Sequence, residues 1–171
     1  MRMTNPLPLV ALAGVAWLVG CSSTPRTPVS SGFLSSYNKL EWADATTQRY
    51  IDYDRLGSYN KFIIHPVKVL VSETPGLKVT EADKQEASTY MRQALVNAIS
   101  MNYAVVTEPS PDTAELTVAI TDARRENNRV GLALEVEAID SFSAVQVGAA
   151  VQYKTGKAHL ANWWNAPSAR K

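Results

Sequence analysis

The sequence predicts an α+β domain. We expect a two-layer sandwich in which a mainly antiparallel sheet of about four to five strands carries one long helix and a short C-terminal helix on one face. Residues 80–101 place apolar side chains every three or four positions, the period of an amphipathic helix. Three segments between residues 115 and 152 alternate apolar and polar side chains, as half-buried strands do. Residues 61–71 are apolar on both faces, which is typical of a central strand.

Local signals set the limits of these elements. Thr80 followed by Asp83 has the spacing of a capping box and predicts the start of the long helix. Pro66 donates no backbone hydrogen bond, so it predicts a bulge or an unpaired side within the central strand. Residues 104–107 form a short strand that ends before two prolines. The closing helix is expected to begin near Leu160.

Composition excludes several classes of protein. The chain has 171 residues, a net charge of +1 and one cysteine, and its length fits a single domain. Near-neutrality provides no field that would attract nucleic acid, so we expect no nucleic-acid partner. A single cysteine cannot form an internal disulfide or a zinc site with two or more cysteines. We expect neither a metal nor a cofactor.

The N-terminus has the pattern of an export signal. Arg2 precedes an apolar stretch over residues 7–19, which is shorter than a comfortable transmembrane helix. The stretch ends in Leu18-Val19-Gly20-Cys21, which resembles the bacterial lipobox. This resemblance implies cleavage between Gly20 and Cys21 and diacylglycerol on the Cys21 thiol. The alternative is an ordinary secretory signal followed by a free thiol.

The lipobox interpretation divides the chain and locates it. Residues 1–20 form the signal peptide, residues 21–31 the acylated cysteine with a flexible tether rich in Ser, Thr and Pro, and residues 32–171 a single globular domain. By resemblance to proteobacterial lipoproteins, Ser22 favours sorting to the outer membrane. We therefore expect a palmitoylated protein that membrane lipid holds on the periplasmic side of the outer membrane.

A series of short segments also resembles one family, the bacterial lipoproteins grouped as domain of unknown function 3313. The similar segments follow one another in a single order from Ser31 to about Tyr153. They are Ser31-Gly32-Phe33-Leu34 with Tyr37 and Leu40, Ile63-Ile64-x-Pro66-Val67, Tyr103-x-Val105-Val106, Pro109-x-Pro111-Asp112-Thr113, Ala119-Ile120-Thr121-Asp122, and Glu135-Val136-Glu137-Ala138-Ile139-Asp140-Ser141. The resemblance implies no established activity and no catalytic residues.

Two positions depart from the pattern of that family. His65 stands before Pro66, where the family leads us to expect an acidic residue. The turn at Ser141-Phe142-Ser143 lacks the Thr-Gly pair that we associate with this hairpin. The roles of both positions are therefore not carried over from relatives.

Two carboxylates are the main candidates for catalysis. Glu135 and Glu137 project from the same face of one strand, about 6.6 Å apart along it. This spacing suits the acid and base of an inverting glycosidase, but it is equally typical of a solvent-exposed strand face. His65 and His159 lie too far apart in the chain to form a metal signature, and no GxSxG segment marks a nucleophilic serine. We assign no catalytic residue.

Three sets of residues are candidates for binding a partner. Arg124, Arg125 and Arg129 cluster between two strands, where they form either a solvated loop or a contact for an anionic surface. Trp163 and Trp164 either cap the core or form an aromatic docking surface for protein or sugar rings. Glu135 and Glu137 would belong to the exposed sheet face.

These observations predict a non-enzymatic lipoprotein of the cell envelope that binds an envelope protein or glycan. The alternative, from a different class, is a periplasmic hydrolase acting on cell-wall glycan or peptide through Glu135, Glu137 and His65. The two hypotheses differ in one structural requirement. The hydrolase needs these side chains to converge in an open cleft.

Overall fold

The computed structural model describes residues 30–72, 77–126 and 129–157 of the chain. In these ranges the polypeptide forms eight strands and two helices. In chain order they are β1 (Glu41–Asp44), β2 (Thr47–Ile51), α1 (Tyr53–Leu56), β3 (Lys61–Ile64), β4 (Lys68–Val69), α2 (Glu81–Ile99), β5 (Ala104–Val105), β6 (Thr113–Glu126), β7 (Arg129–Asp140) and β8 (Gln146–Lys157).

All eight strands belong to one mixed sheet. Its order is β1-β2-β8-β7-β6-β3-β5, and β4 also pairs with β6. The long strands β6, β7 and β8 are antiparallel, whereas β3 and β4 run parallel to β6 and β5 runs parallel to β3. The predicted α+β class is confirmed, but four to five strands were too few. The predicted C-terminal helix lies outside the described residues.

The β1–β2 hairpin accounts for two of the additional strands. Its sequence is mainly polar and carries no alternating pattern that would indicate a strand. All of β1 is exposed, and β2 is held by antiparallel pairing from Thr47 to Ile51 with β8. The strand conformation here depends on a partner about a hundred residues away, which local sequence does not reveal.

Pro66 divides the predicted central strand in two. β3 ends at Ile64 and β4 begins at Lys68, and both pair in parallel with β6. Pro66 is exposed between the two strands. Because this position lies outside both ladders, the N–H that proline lacks is not needed for a ladder hydrogen bond. The expected interruption at Pro66 is confirmed.

Helix α2 covers one face of the sheet. Its capping box is present, since the Thr80 side chain accepts from the Asp83 amide and the Asp83 carboxylate accepts from the Thr80 amide at 2.8 Å. Ala87 is buried, and Met91 and Leu95 pack with it against strand residues. The cluster also contains Val67 and Val71 on either side of β4, and the strand residues Val69, Leu116, Val118, Ile120, Ala123, Leu132, Leu134 and Val136.

A third layer lies on the opposite face of the sheet. Residues 30–40, here called the strap, precede β1 and pack Leu34 against Ala149 and Val151 of β8. Phe33, Tyr37 and Leu40 of the strap join this cluster. The strap has no helix or strand of its own. The molecule is thus layered as strap, sheet and helix, which corrects the predicted two-layer arrangement.

The turn between β7 and β8 contains a strained residue. Ala144 has a φ of 55°, in the left-handed region that glycine adopts without steric cost. We expect Ala144→Gly to raise the free energy of unfolding by about 1 kcal/mol, because relief of this strain exceeds the added entropy of the unfolded chain. Thermal unfolding measures the change. Ala150→Gly, within β8, is the matched control and should lower the midpoint; a parallel decrease for Ala144→Gly would contradict the prediction.

Candidate functional site

Glu135 and Glu137, the carboxylate pair, lie beneath the strap. Both side chains project from β7 away from helix α2, since Leu134 and Val136, which alternate with them along the strand, pack on the helix side. The exposed fraction of Glu135 is 0% and that of Glu137 is 7%. The prediction of a solvent-exposed face at these residues is therefore wrong. The strap covers the face.

Glu135 binds two groups of the strap. One carboxylate oxygen accepts a hydrogen bond from the Tyr37 hydroxyl at 2.5 Å, and the other accepts from the backbone N–H of Ser31 at 3.2 Å. The Tyr37 hydroxyl also accepts from the backbone N–H of Leu34 at 3.2 Å. Glu135 thus fixes both the beginning of the strap and the aromatic ring at its centre.

Glu137 binds the next part of the strap and a neighbouring strand. Its Oε1 atom accepts from the backbone N–H of Ser35 at 2.9 Å and from the Ser35 hydroxyl. The same oxygen accepts from Nε2 of Gln146 at 2.8 Å, and Gln146 also donates to the backbone carbonyl of Ser36 at 2.9 Å. Gln146 therefore ties β8, β7 and the strap together.

Neutral donors satisfy the carboxylate pair. Among the described residues, no lysine, arginine or histidine forms an ion pair with Glu135 or Glu137. Hydroxyl, amide and backbone N–H groups instead provide the hydrogen bonds that a buried carboxylate requires. The arrangement fastens the strap to the sheet and leaves neither carboxylate open to a substrate.

His65 does not join the carboxylate pair. Its Nε2 atom lies 2.8 Å from Oε2 of Glu115 on β6, and both side chains are partly exposed. The hydrolase hypothesis required Glu135, Glu137 and His65 to converge in an open cleft. The burial of both glutamates under the strap contradicts that requirement.

Of the other predicted binding residues, the three arginines lie at one end of the long strands β6 and β7. Arg124 is exposed and pairs with Asp122 through its Nε atom at 2.7 Å. Arg125 and Arg129 flank the tip of the β6–β7 hairpin, where Arg125 pairs with Val130 in the ladder. Residues 158–171, which include Trp163 and Trp164, lie outside the described residues, as do Gly20 and Cys21.

Asp140 organises the turn that follows β7. Its Oδ1 atom accepts from the backbone N–H groups of Phe142 at 3.0 Å and Ser143 at 2.6 Å, and its Oδ2 accepts from the Tyr59 hydroxyl at 2.7 Å. The hydrogen bond from the Ser143 amide, with that from Tyr59, holds the pKa of Asp140 well below its usual range. Burial, with the Asp140 carboxylate beside it, raises the pKa of Tyr59 to about 12.

Asp112 has a similar role at the start of β6. Its Oδ1 atom accepts from the Ser110 hydroxyl at 2.6 Å and from Nζ of Lys61 at 3.0 Å. The hydrogen bond from Ser110, with that from Lys61, lowers the pKa of Asp112 to about 2. Lys61 and Asp112 thereby join the beginnings of β3 and β6.

Sequence reasoning missed the partners of the carboxylate pair. Tyr37, Ser31, Ser35 and Gln146 make these contacts, but all except Gln146 lie about a hundred positions before the glutamates. One signal was present in the sequence. The segment from Ser31 to Leu40 belongs to the family resemblance, although no periodicity explains its residues.

The described part of the chain has neither a membrane-spanning helix nor a cluster of metal-ligating side chains. No helix within residues 30–72, 77–126 and 129–157 is long and apolar enough to cross a membrane. In the same ranges, no group of three or more His, Cys, Asp or Glu side chains is placed to hold a metal ion.

Comparison with known proteins gives structural similarities at low sequence identity. The PelC dodecamer from Paraburkholderia phytofirmans is 13% identical with a TM-score of 0.46, and 66% of this chain and 83% of that chain are covered. Lipoprotein GNA1162 from Neisseria meningitidis is 8% identical with a TM-score of 0.42, and the match covers 58% of this chain and 84% of that chain. Protein XCC0632 from Xanthomonas campestris is 14% identical with a TM-score of 0.39, and the match covers 57% of this chain and 66% of that chain. No curated protein matches the chain.

The family comparison covers more than half of the sequence. The model of the family described as protein of unknown function, DUF3313, matches residues 30–133. This range begins with the strap and ends within β7. The chain belongs to the DUF3313 family.

Proposed function

We propose that the protein is an outer-membrane lipoprotein whose domain stands in the periplasm and has a non-enzymatic binding or structural role. The sequence Leu18-Val19-Gly20-Cys21 supports lipid anchoring. The buried carboxylate pair supports a role other than hydrolysis, because the candidate acid and base are enclosed by the strap.

The observation that carries the mechanical part of this proposal is the attachment of the strap. The tether from Cys21 leads directly to Ser31, whose backbone N–H binds Glu135 at the middle of the sheet. The ten residue steps from Cys21 to Ser31 span at most about 35 Å when fully extended. The acyl chains would therefore hold the strap face of the domain near the membrane, and the hydrogen bonds of the strap would carry any force between lipid and sheet.

The anchoring is tested by Cys21→Ser. We expect this variant to lose all palmitate labelling, because the serine hydroxyl does not replace the thiol that receives diacylglycerol. The protein should then appear in the soluble periplasmic fraction or remain as an uncleaved precursor. Metabolic labelling with palmitate, followed by membrane fractionation, measures both effects.

Ser23→Ala is the matched control, since it changes a nearby small residue and leaves Cys21 and Ser22 in place. It should be labelled and fractionated like the unchanged protein. Persistent acyl labelling of Cys21→Ser would refute lipidation at this residue. A wild-type protein that carries no label would favour the ordinary secretory signal.

The arginine residues at the β6–β7 hairpin are a second part of the proposal. Arg124, Arg125 and Arg129 would contact an anionic component of the envelope. The ion pair between Arg124 and Asp122 lowers the net charge that this surface presents. An anionic partner would therefore compete with Asp122 for the Arg124 guanidinium.

A further inference from the structure

Part of the sheet is open on the side of helix α2. The helix approaches the sheet at β3, β4 and β5, and α1 packs Leu56 against the cluster of Ala138 and Val147 at the start of β8. The area of β7 and β8 beyond both helices is here called the open face. Its residues share one side of the sheet, because those of β7 alternate with the glutamates and those of β8 lie opposite them in the ladder. They are Leu132, Leu134, Val136, Ala150, Gln152 and Lys154.

The apolar residues of the open face are less buried than the glutamate that alternates with them. Leu132, Leu134 and Val136 are partly exposed, whereas the exposed fraction of Glu135 is 0%. The strap covers the opposite side of this strand, but α2 covers the apolar side only in part. Adjacent apolar side chains that stay accessible on a central strand mark a place where a further segment or a partner packs.

Helix α2 forms one border of the open face. Its Ser88 hydroxyl donates to the backbone carbonyl of Val67 at 2.6 Å, which turns this side of the helix towards β3 and β4. At about 3.6 residues per turn, Tyr90 and Ala94 lie on the other side of the helix, towards β7. Both are exposed, and the exposed fraction of Tyr90 is 46%. An aromatic ring and a small residue therefore border the open face and leave room for a segment beside the helix.

The end of the chain is close enough to cover the open face. β8 ends at Lys157, which lies opposite Arg129 of β7, and fourteen residues follow it. Leu134 lies five positions from Arg129, about 17 Å away at the rise of a strand. Trp163 and Trp164 follow Lys157 by six and seven residues, and six residue steps span up to about 20 Å. Both tryptophans are therefore within reach of the open face.

We propose that residues 158–171 turn back at the end of β8 and cover the open face, with Trp163 and Trp164 packed on its leucines. Leu160, Trp163 and Trp164 have the i, i+3, i+4 spacing that places three side chains on one side of a helical turn, so the segment has an apolar side to bury. The tryptophans then complete the core of the domain and are not an aromatic surface for sugar rings or another protein.

The covalent connection favours this segment over a second copy of the chain. A segment joined to β8 meets the open face at an effective concentration of about millimolar. A second molecule must in addition lose its translational and rotational freedom. The polar residues Gln152 and Lys154 also interrupt the apolar surface, whereas stable dimers bury a large apolar one. A single segment needs only the narrow strip beside α2.

Cross-linking of the chain from residue 21 onward tests the proposal. With Cys21→Ser this chain has no cysteine, so chosen pairs can be introduced. Lys154→Cys with Asn165→Cys places one thiol on the open face, because residue 154 lies opposite Leu132. Thr155→Cys with Asn165→Cys is the matched control, since residue 155 is the next one, is equally exposed and points to the opposite face. We expect a short bismaleimide to join the first pair within one chain about fivefold faster than the second.

Tryptophan fluorescence gives a second measurement. Trp42→Phe leaves Trp163 and Trp164 as the only tryptophans after residue 21. We expect acrylamide to quench them several-fold less than in the same chain unfolded by urea, because packed indole rings are shielded from solvent. Leu134→Ser should raise the quenching about twofold, since it removes an apolar contact beneath the rings. Leu70→Ser changes an exposed leucine outside the open face and should leave the quenching unchanged.

Several results would overturn the proposal. These are equal cross-linking of the two pairs, quenching equal to that of the unfolded chain, or unchanged quenching in a folded Leu134→Ser. Cross-links that join two chains in place of one would make a second copy the occupant of the open face. Thermal unfolding verifies that each variant is folded, and if Leu134→Ser is not, the cross-linking decides alone. All these variants lack the Cys21 thiol, so the results are independent of lipid anchoring.

Discussion

Glu135→Ala is expected to lower the free energy of unfolding by about 3 kcal/mol and to release the beginning of the strap from the sheet. The substitution leaves the Tyr37 hydroxyl and the Ser31 amide without their acceptor and removes a fully buried side chain. An unsatisfied buried donor costs about 1–3 kcal/mol, and the loss of packing adds to this. Denaturant unfolding measures the stability, and hydrogen exchange of residues 31–37 measures the release.

Two comparisons make this prediction specific. Glu135→Gln keeps the size of the side chain and one acceptor oxygen, but its amide nitrogen cannot accept, so we expect about half the loss. Glu108→Ala removes an exposed carboxylate and should leave stability and exchange unchanged. If Glu135→Ala unfolds and exchanges like Glu108→Ala, then Glu135 does not fasten the strap.

Asp140→Ala is expected to lower the free energy of unfolding by about 2 kcal/mol at neutral pH. The carboxylate of Asp140 accepts two backbone N–H groups of its turn and the hydroxyl of the buried Tyr59. Hydrogen bonds to a charged group contribute more than neutral ones, and all are lost together. Denaturant unfolding at pH 7 measures the difference.

The same variant is expected to be less sensitive to acid. The pKa of Asp140 is lowered in the folded state, so its stabilising contribution is present above the ordinary value of 3.8 and is lost as the pH falls below it. The difference between wild type and Asp140→Ala should therefore shrink below pH 3.8. Asp112, whose pKa is lowered to about 2, retains a similar dependence in both proteins.

Tyr59 gives the opposite behaviour at alkaline pH. Its pKa is raised from 10 to about 12, so the unfolded chain loses this proton more readily than the folded protein. The free energy of unfolding therefore decreases as the pH rises from 10 towards 12.

A constant difference in the free energy of unfolding between wild type and Asp140→Ala at every pH would show that the charge of Asp140 is not what stabilises the turn.

Elements with strong local signals could be predicted from the sequence. The capping box at Thr80 and the apolar period of the following residues identify helix α2, and Pro66 identifies the interruption between β3 and β4. Alternation identifies β6, β7 and β8. In contrast, β1 and β2 are mainly polar, and their sequence carries no strand signal; β2 is held by pairing with β8, and β1 by pairing with β2.

The candidate site could be predicted only in part. Alternation correctly placed Glu135 and Glu137 on the same face of one strand. It did not reveal that Ser31, Ser35 and Tyr37 cover them, since these contacts join segments about a hundred residues apart.

The sequence by itself determined the position of helix α2 and the residues that share a face on β7, and it predicts an export signal that ends before Cys21. Only the tertiary structure decided which face of the sheet each set occupies. Glu135 lies opposite Val151 in the ladder, so the apolar side of β8 faces the strap while that of β7 faces the helix. The two-residue period of a strand determines which of its side chains share a face. The register with the next strand determines whether that face meets the helix or the strap. That register places Glu135 and Glu137 beneath the strap, where they fasten it instead of meeting solvent.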